Sequence, residues 1–210
     1  MTIVQDMAAL LAAALALLLM ANQAMAEQEL TPNSAFCASC HGEAGVSRNP
    51  LVPTLAGQPY TLIEDNLLAF RAGKRACSPQ PGDGSPAALL ALTMCARVAD
   101  LTDEEITALA GFFERQAFEP AEQSFYPQLA DRGARLHIDK GCEGCHSDGG
   151  RTTNDMAPVL AGQWTPYLRR AMDALRAGER QGPKVMNAAI HALEAREVEA
   201  LLNYYAFQRE

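Results

Sequence analysis

Cys37-Ala38-Ser39-Cys40-His41 and Cys142-Glu143-Gly144-Cys145-His146 are one pattern, Cys-x-x-Cys-His, written twice at an offset of 105 positions. The register holds beyond the motif. Pro53-Thr54-Leu55-Ala56-Gly57-Gln58 returns as Pro158-Val159-Leu160-Ala161-Gly162-Gln163, and Arg71-Ala72-Gly73-Lys74-Arg75 as Arg176-Ala177-Gly178-Glu179-Arg180. Three matches in one register mark an internal duplication. After Arg75 the offset shortens to 92. Leu101, Ile106, Leu109, Phe112, Phe113 and Gln116 then meet Leu193, Val198, Leu201, Tyr204, Tyr205 and Gln208. The first copy therefore carries an insertion around Cys77 to Pro86, where Pro, Gly, Asp and Ser read as loop.

Both copies read as helical. Ile63, Leu67 and Phe70, like Leu168, Met172 and Leu175, fall at i, i+4, i+7, one buried stripe per helix. Gly73 and Gly178 stop those two helices. Thr102 with Glu105 spells a capping box, stapled by Leu101 and Ile106. Thr31-Pro32 opens the helix that leads into the first motif, with Thr31 as its cap. Leu129, Gly133 and Leu136 give the equivalent helix of the second copy a smooth face. No alternating strand pattern and no hairpin signal occurs, so the fold class is all-α.

The composition is that of a folded chain: 210 residues, 49% hydrophobic and 20% charged, with 17 basic against 25 acidic groups. A net charge of −8 without a lysine-rich run excludes nucleic-acid binding through a basic patch. Residues 27–120 carry 6 basic and 12 acidic groups, residues 121–210 carry 11 and 12. Ala8 to Met20 is apolar but too short for a stable membrane span, and Ala24-Met25-Ala26 is a small-x-small cleavage pattern. Residues 1–26 are thus expected to be a signal peptide, removed on export to the periplasm. The expected organisation continues with a first domain at 27–118, a linker at 119–127, and a second domain at 128–210.

Cys-x-x-Cys-His is the signature of covalent haem attachment. Two thiols three positions apart each add to one vinyl group, and the adjacent imidazole reaches the iron. The thioredoxin-type rival wants a βαβ setting, and a zinc site wants four ligands per cluster. Cys37, Cys40, Cys142 and Cys145 are therefore read as attachment points for two covalently bound haem c groups, with His41 and His146 as proximal iron ligands. Four methionines follow residue 26: Met94, Met156, Met172 and Met186. Met172 and Met156 align with Leu67 and Leu51 and read as packing. Met94 and Met186 align with each other, each placed in a loop before the last helix of its copy, and are the candidate sixth ligands. His137 and His191 compete for that role, with a surface position as their plainer reading. The carbonyls of Pro53 and Pro158 are candidate acceptors for the proximal imidazole N–H. Cys77 and Cys95 are left over, and in an oxidising compartment they are expected to pair as a disulfide, with two buried thiols as the plainer alternative.

On these residues the chain resembles the two-haem class I cytochromes, the periplasmic cytochrome c4 type among them. Phe118-Glu119-Pro120-Ala121-Glu122-Gln123-Ser124-Phe125, Gly133-Ala134-Arg135-Leu136-His137 and Leu160-Ala161-Gly162-Gln163-Trp164-Thr165-Pro166-Tyr167-Leu168 are similar to the cytochrome subunit of flavocytochrome c sulfide dehydrogenase. The resemblance implies two tandem class I cytochrome c domains related by internal duplication, each enclosing one covalent haem. It implies an FAD-containing flavoprotein subunit as electron donor, and a soluble cytochrome c or another carrier as acceptor. The chain would serve a sulfide:cytochrome c oxidoreductase without being catalytic on its own, since no strand-then-Gly-x-Gly-x-x-Gly pattern offers a flavin site. Trp164, Pro166 and Tyr167 are candidates for the partner surface, against a packing role. A stand-alone dihaem shuttle to a terminal oxidase is the second reading. A haem peroxidase, which needs a haem without methionine, is the third.

Overall fold

The computed structural model describes residues 32–77, 93–152 and 157–207. The expected signal peptide, the Thr31 cap, Met156 and most of the insertion lie outside the described residues. Helices α1 (Pro32–His41), α2 (Tyr60–Arg71), α3 (Met94–Val98) and α4 (Asp103–Glu114) form the first half. Helices α5 (Pro127–Asp139), α6 (Thr165–Arg176), α7 (Lys184–Ala192) and α8 (Ala195–Phe207) repeat that order in the second. No strand occurs among the described residues.

Local chemistry sets the helix ends. Thr102 Oγ1 accepts from Glu105 N at 3.2 Å and Glu105 Oε2 accepts from Thr102 N at 2.8 Å, which closes the capping box of α4. Gly73 (φ +66°) and Gly178 (φ +73°) take the left-handed conformation just past α2 and α6. There Gly73 N donates to Phe70 O and Lys74 N to Ala69 O, as Gly178 N does to Leu175 O and Glu179 N to Ala174 O. Both ends are Schellman motifs, which satisfy carbonyls that the helix leaves open.

Each half has its own core. Ile63 and Leu67 of α2, Val98 of α3, and Ile106, Leu109, Phe112 and Phe113 of α4 bury together in the first. Leu168 of α6, Leu193, and Val198, Leu201, Tyr204 and Tyr205 of α8 do so in the second. Ile106, Leu109, Phe112 and Phe113 thus occupy buried positions equivalent to those of Val198, Leu201, Tyr204 and Tyr205, each side chain stabilising by roughly 1.5–3 kcal/mol.

Two local expectations are corrected. The buried face of α5 is Ala130, Gly133 and His137, with Leu129 and Leu136 only half-buried. The reason is Gly133: an added Cβ would meet Ala200 O at 2.1 Å, so α8 lies on the α5 backbone itself. Met94 and Met186 stand on helices and not in loops. Thr93 caps α3 by accepting from Ala96 N at 3.3 Å, and Pro183, with its fixed φ, precedes α7.

The halves interlock through the repeated glutamines. Gln58 Nε2 donates to Val159 O at 3.3 Å, and Val159 N donates to Gln58 Oε1 at 3.1 Å. Reciprocally, Gln163 Nε2 donates to Thr54 O at 2.9 Å, and Thr54 N donates to Gln163 Oε1 at 3.0 Å. Both glutamines are buried, so each pair replaces water on two backbone groups at once. Trp164 Nε1 donates to Ser47 O at 2.9 Å across the same seam. The indole weighed as a partner-surface candidate against packing thus braces the junction between halves. Residues 117–126 run without regular structure, tied to the second half by Ala121 N to Gly162 O (2.7 Å) and Tyr126 N to Asn203 Oδ1 (2.7 Å).

Candidate functional site

The two motif histidines are held alike. His41 Nδ1 donates to Pro53 O at 2.9 Å, and His146 Nδ1 donates to Pro158 O at 3.2 Å. That bond fixes the ring orientation and leaves Nε2 as the lone-pair nitrogen, the form a metal requires. Burial lowers the pKa of both imidazoles against the opposing pull of the proline carbonyls, so both are neutral near pH 7. The acceptor loops are fastened in parallel, Leu55 N to Gly45 O and Leu160 N to Gly150 O, each at 2.8 Å.

The motif backbones differ. In the first half Cys37, Cys40 and His41 lie on α1, whereas in the second α5 stops at Asp139 and Cys142–Gly144 forms a 3₁₀ turn. Burial raises the pKa of the Cys37 and Cys142 thiols. Cys77 and Cys95 are joined by a disulfide with Cα atoms 5.8 Å apart. It ties the insertion to the residue following Met94. Met94, like Cys37, packs against the first core, and Met186 lies over Gly182 at the start of α7. Met172 packs on the second core.

Haem c has two vinyl groups, an iron and two carboxylates, and each half offers matching groups. Two thiols and a neutral imidazole stand at the motif, with a methionine on the penultimate helix. Arg75 and Arg180, equivalent in the repeat, converge on the Tyr167 phenol. Burial and the Arg180 charge push the Arg75 guanidinium down, a sign of positive charge without a full counter-charge. Burial raises the Tyr167 phenol, but the Arg180 and Arg75 guanidiniums more than reverse this, and its net shift is downward. Haem carboxylates would supply the missing negative charge. Thr61 Oγ1 and Asn187 Oδ1 are buried without a protein partner, one in each half. Among the described residues no three His, Cys, Asp or Glu side chains converge on a metal position, unlike a closed zinc site. The residues fit the haem.

His137 was expected at the surface, and the structure corrects this, because the side chain is 1% exposed and hydrogen-bonded at both nitrogens. His191 is exposed. Sequence reading also passed over Gln58, Gln163, Arg75 and Arg180 as functional residues, although all four sit in the repeated segments that it singled out.

The sequence model of the cytochrome c family matches residues 28–115. Cytochrome c4 of Stutzerimonas stutzeri is 30% identical over 182 residues, covering 81% of this chain and 83% of that protein. The crystal structure of reduced recombinant cytochrome c4 from Pseudomonas stutzeri superposes with a TM-score of 0.64 at 28% identity, over 82% of this chain and 93% of that one. A thiosulfate dehydrogenase from Marichromatium purpuratum superposes with a TM-score of 0.61 at 28% identity, over 81% of this chain and 36% of that one. A repeat with one proline-anchored imidazole per half and relatives of this kind lead to one assignment: the chain belongs to the cytochrome c family, as an all-α electron-transfer protein of two tandem class I domains with two covalently bound haem c groups.

Proposed function

We propose that the chain is a periplasmic electron-transfer subunit that accepts electrons from an FAD-containing sulfide dehydrogenase subunit and passes them to a downstream carrier such as a soluble cytochrome c. The observation that carries this is the pairing of two equivalent one-electron sites in halves locked by Gln58 and Gln163. A flavin that takes two electrons from sulfide releases them singly, and two adjacent acceptors suit that donor. The runs from Phe118, Gly133 and Leu160 support the flavoprotein partner. The shared fold with a thiosulfate dehydrogenase supports a donor that oxidises a sulfur compound.

In this reading Cys37, Cys40, Cys142 and Cys145 hold the haems, His41 and His146 bind the irons, and Met94 and Met186 complete them. The haem itself supplies reversible one-electron chemistry. Pro53 and Pro158 fix the imidazoles so that little has to move when charge arrives. The domains span 27–118 and 128–210, joined by 119–127. Export with loss of residues 1–26 is supported by the Cys77–Cys95 disulfide, which persists in an oxidising compartment. Among the described residues no helix is long and apolar enough to cross a membrane.

Likeness to cytochrome c4 favours a second reading, a free shuttle delivering electrons to a terminal oxidase. The test mixes the purified holoprotein with the flavoprotein and adds sulfide. Haem reduction much faster than without the flavoprotein supports the subunit reading, and equal rates transfer the case to the shuttle. A pyridine haemochrome assay should count two haems per chain.

A further inference from the structure

We infer that Glu143, positioned by His137 and Tyr205, is a tuning residue that sets the second haem site apart from the first, its fixed negative charge favouring the oxidised iron bound at His146. The inference rests on His146 as the proximal ligand of the second haem.

The network joins three pieces of backbone. Tyr205 on α8 donates its hydroxyl to His137 Nδ1 at 3.0 Å. That bond leaves the proton on Nε2, which donates to Glu143 Oε2 at 2.8 Å and to His146 O at 2.9 Å. His137 therefore ties the C-terminal helix both to the haem motif and to the main chain of the ligand itself. Glu143 is held from the other side as well. Its carboxylate accepts from Asp148 N at 2.9 Å and Gly149 N at 3.2 Å, in the turn directly after His146. Asp148 adopts φ +53° there, in the left-handed region that Asp enters more readily than most non-glycine residues. Three donors converge on one carboxylate. The Gly149 and Asp148 N–H groups and the His137 ring lower its pKa against a smaller burial effect, so it is ionised at neutral pH.

The first half has none of these groups. At the equivalent positions stand Ala38 for Glu143, Pro32 for His137 and Phe113 for Tyr205. Phe113 keeps the aromatic ring, packed against Gly45 as Tyr205 is near Gly150, but lacks the hydroxyl. The duplication thus conserves the scaffold and adds a charge to one copy only. A carboxylate beside the proximal ligand stabilises the more positive, oxidised iron by Coulomb attraction, and at the partly exposed Glu143 the effect is moderated by solvent.

Glu143→Gln removes the charge while keeping the size. In a spectroelectrochemical titration of the two-haem protein, the wave of the second haem should move to higher potential. At a fixed poise its reduced-to-oxidised ratio should rise by roughly three- to tenfold, while the first wave stays put. Met186→His, by displacing the same wave, identifies which one belongs to the second half. Two unmoved waves, a shift confined to the first, or a shift to lower potential would overturn the inference. His137→Phe removes one of the three donors that hold the carboxylate and should broaden the low-temperature EPR signal of the second haem alone. An unchanged signal refutes the positioning role. Should Glu143→Gln mature with haem only in the first half, Glu143→Asp must restore the second haem, or the proposal falls. A wrong ligand assignment shows differently, as a second wave that ignores Met186→His in otherwise native protein.

Discussion

Replacing Gly133 by alanine tests the packing of α5 on α8, the contact that closes the second half. Inside a helix the exchange should by itself stabilise by about 1 kcal/mol, because glycine costs more backbone entropy. The structure reverses that sign. The new methyl would lie 2.1 Å from Ala200 O and 2.6 Å from Tyr204 Cβ, against 3.4 Å for ordinary contact. The first obstacle is backbone, which cannot rotate away, so the helices must part by about 1 Å and loosen the contacts of Tyr204 and His137. Overpacking of this kind costs typically 1–3 kcal/mol, and a rigid obstacle puts it at the upper end, about 3 kcal/mol. The net loss is then about 2 kcal/mol, a fall in Tm of about 4–8 °C for a chain of this length. Differential scanning calorimetry of the holoprotein reads it directly. A Tm equal to or above that of the parent would refute the close contact and leave helix propensity as the winning effect.

Gln163→Leu removes the partner of the buried Thr54 N–H and carbonyl, at about 1–3 kcal/mol for each stranded group. Calorimetry should show the two halves unfolding separately, and one unaltered transition would speak against the lock. Met94→His and Met186→His should each lower one haem potential and remove half of the weak methionine-to-ferric-iron absorption. Spectra unchanged in both would return His191 to consideration, since His137 is engaged elsewhere. Glu143 and Glu197 are both held below the usual carboxylate range, first by backbone N–H groups of Gly149 and Glu194 respectively. Lys140 Nζ adds a 2.9 Å ion pair to Glu197. A depressed folded pKa gives stability that is full above the unfolded carboxylate pKa and lost as pH falls through the folded value. The double Gln variant should therefore show a flatter decline of urea midpoint below about pH 4.5, and an identical acid limb would contradict the assignment.

Much of this architecture was readable because duplication writes each constraint twice. Ile106 and Val198, or Phe113 and Tyr205, declare a core position by recurring in register, and Thr102 with Glu105 declares a helix start within four residues. The haem motif is equally local, as is the helix stop at Gly73 and Gly178. What resisted reading depends on partners distant in sequence. Gln163 repeats Gln58 visibly, but its bonds go to Thr54, more than a hundred positions away. His137 looks like a lone polar residue near a helix end until Tyr205 closes over it. Trp164 invites an interface role by its size, while its indole N–H is taken by the Ser47 carbonyl. Met94 and Met186 read as loop residues, yet Thr93 and Pro183 each start a helix just before them, since a proline preceding a helix starts it as readily as it breaks one.

The crossed glutamine bonds have a bearing on the ancestry of the chain. An arrangement in which a residue of one copy grips the other, and its counterpart returns the grip, is what a two-fold axis imposes on a homodimer. Two unlinked copies of a single-haem ancestor bearing this glutamine would meet through the same contact. Fusion then needed only a connector, since residues 117–126 add no helix of their own. The atoms gripped are main-chain N–H and C=O groups of Thr54 and Val159, whose side chains already differ. A joint that reads backbone places little demand on the surrounding sequence, so each copy is at liberty to diverge in charge and in redox character while the pair stays together.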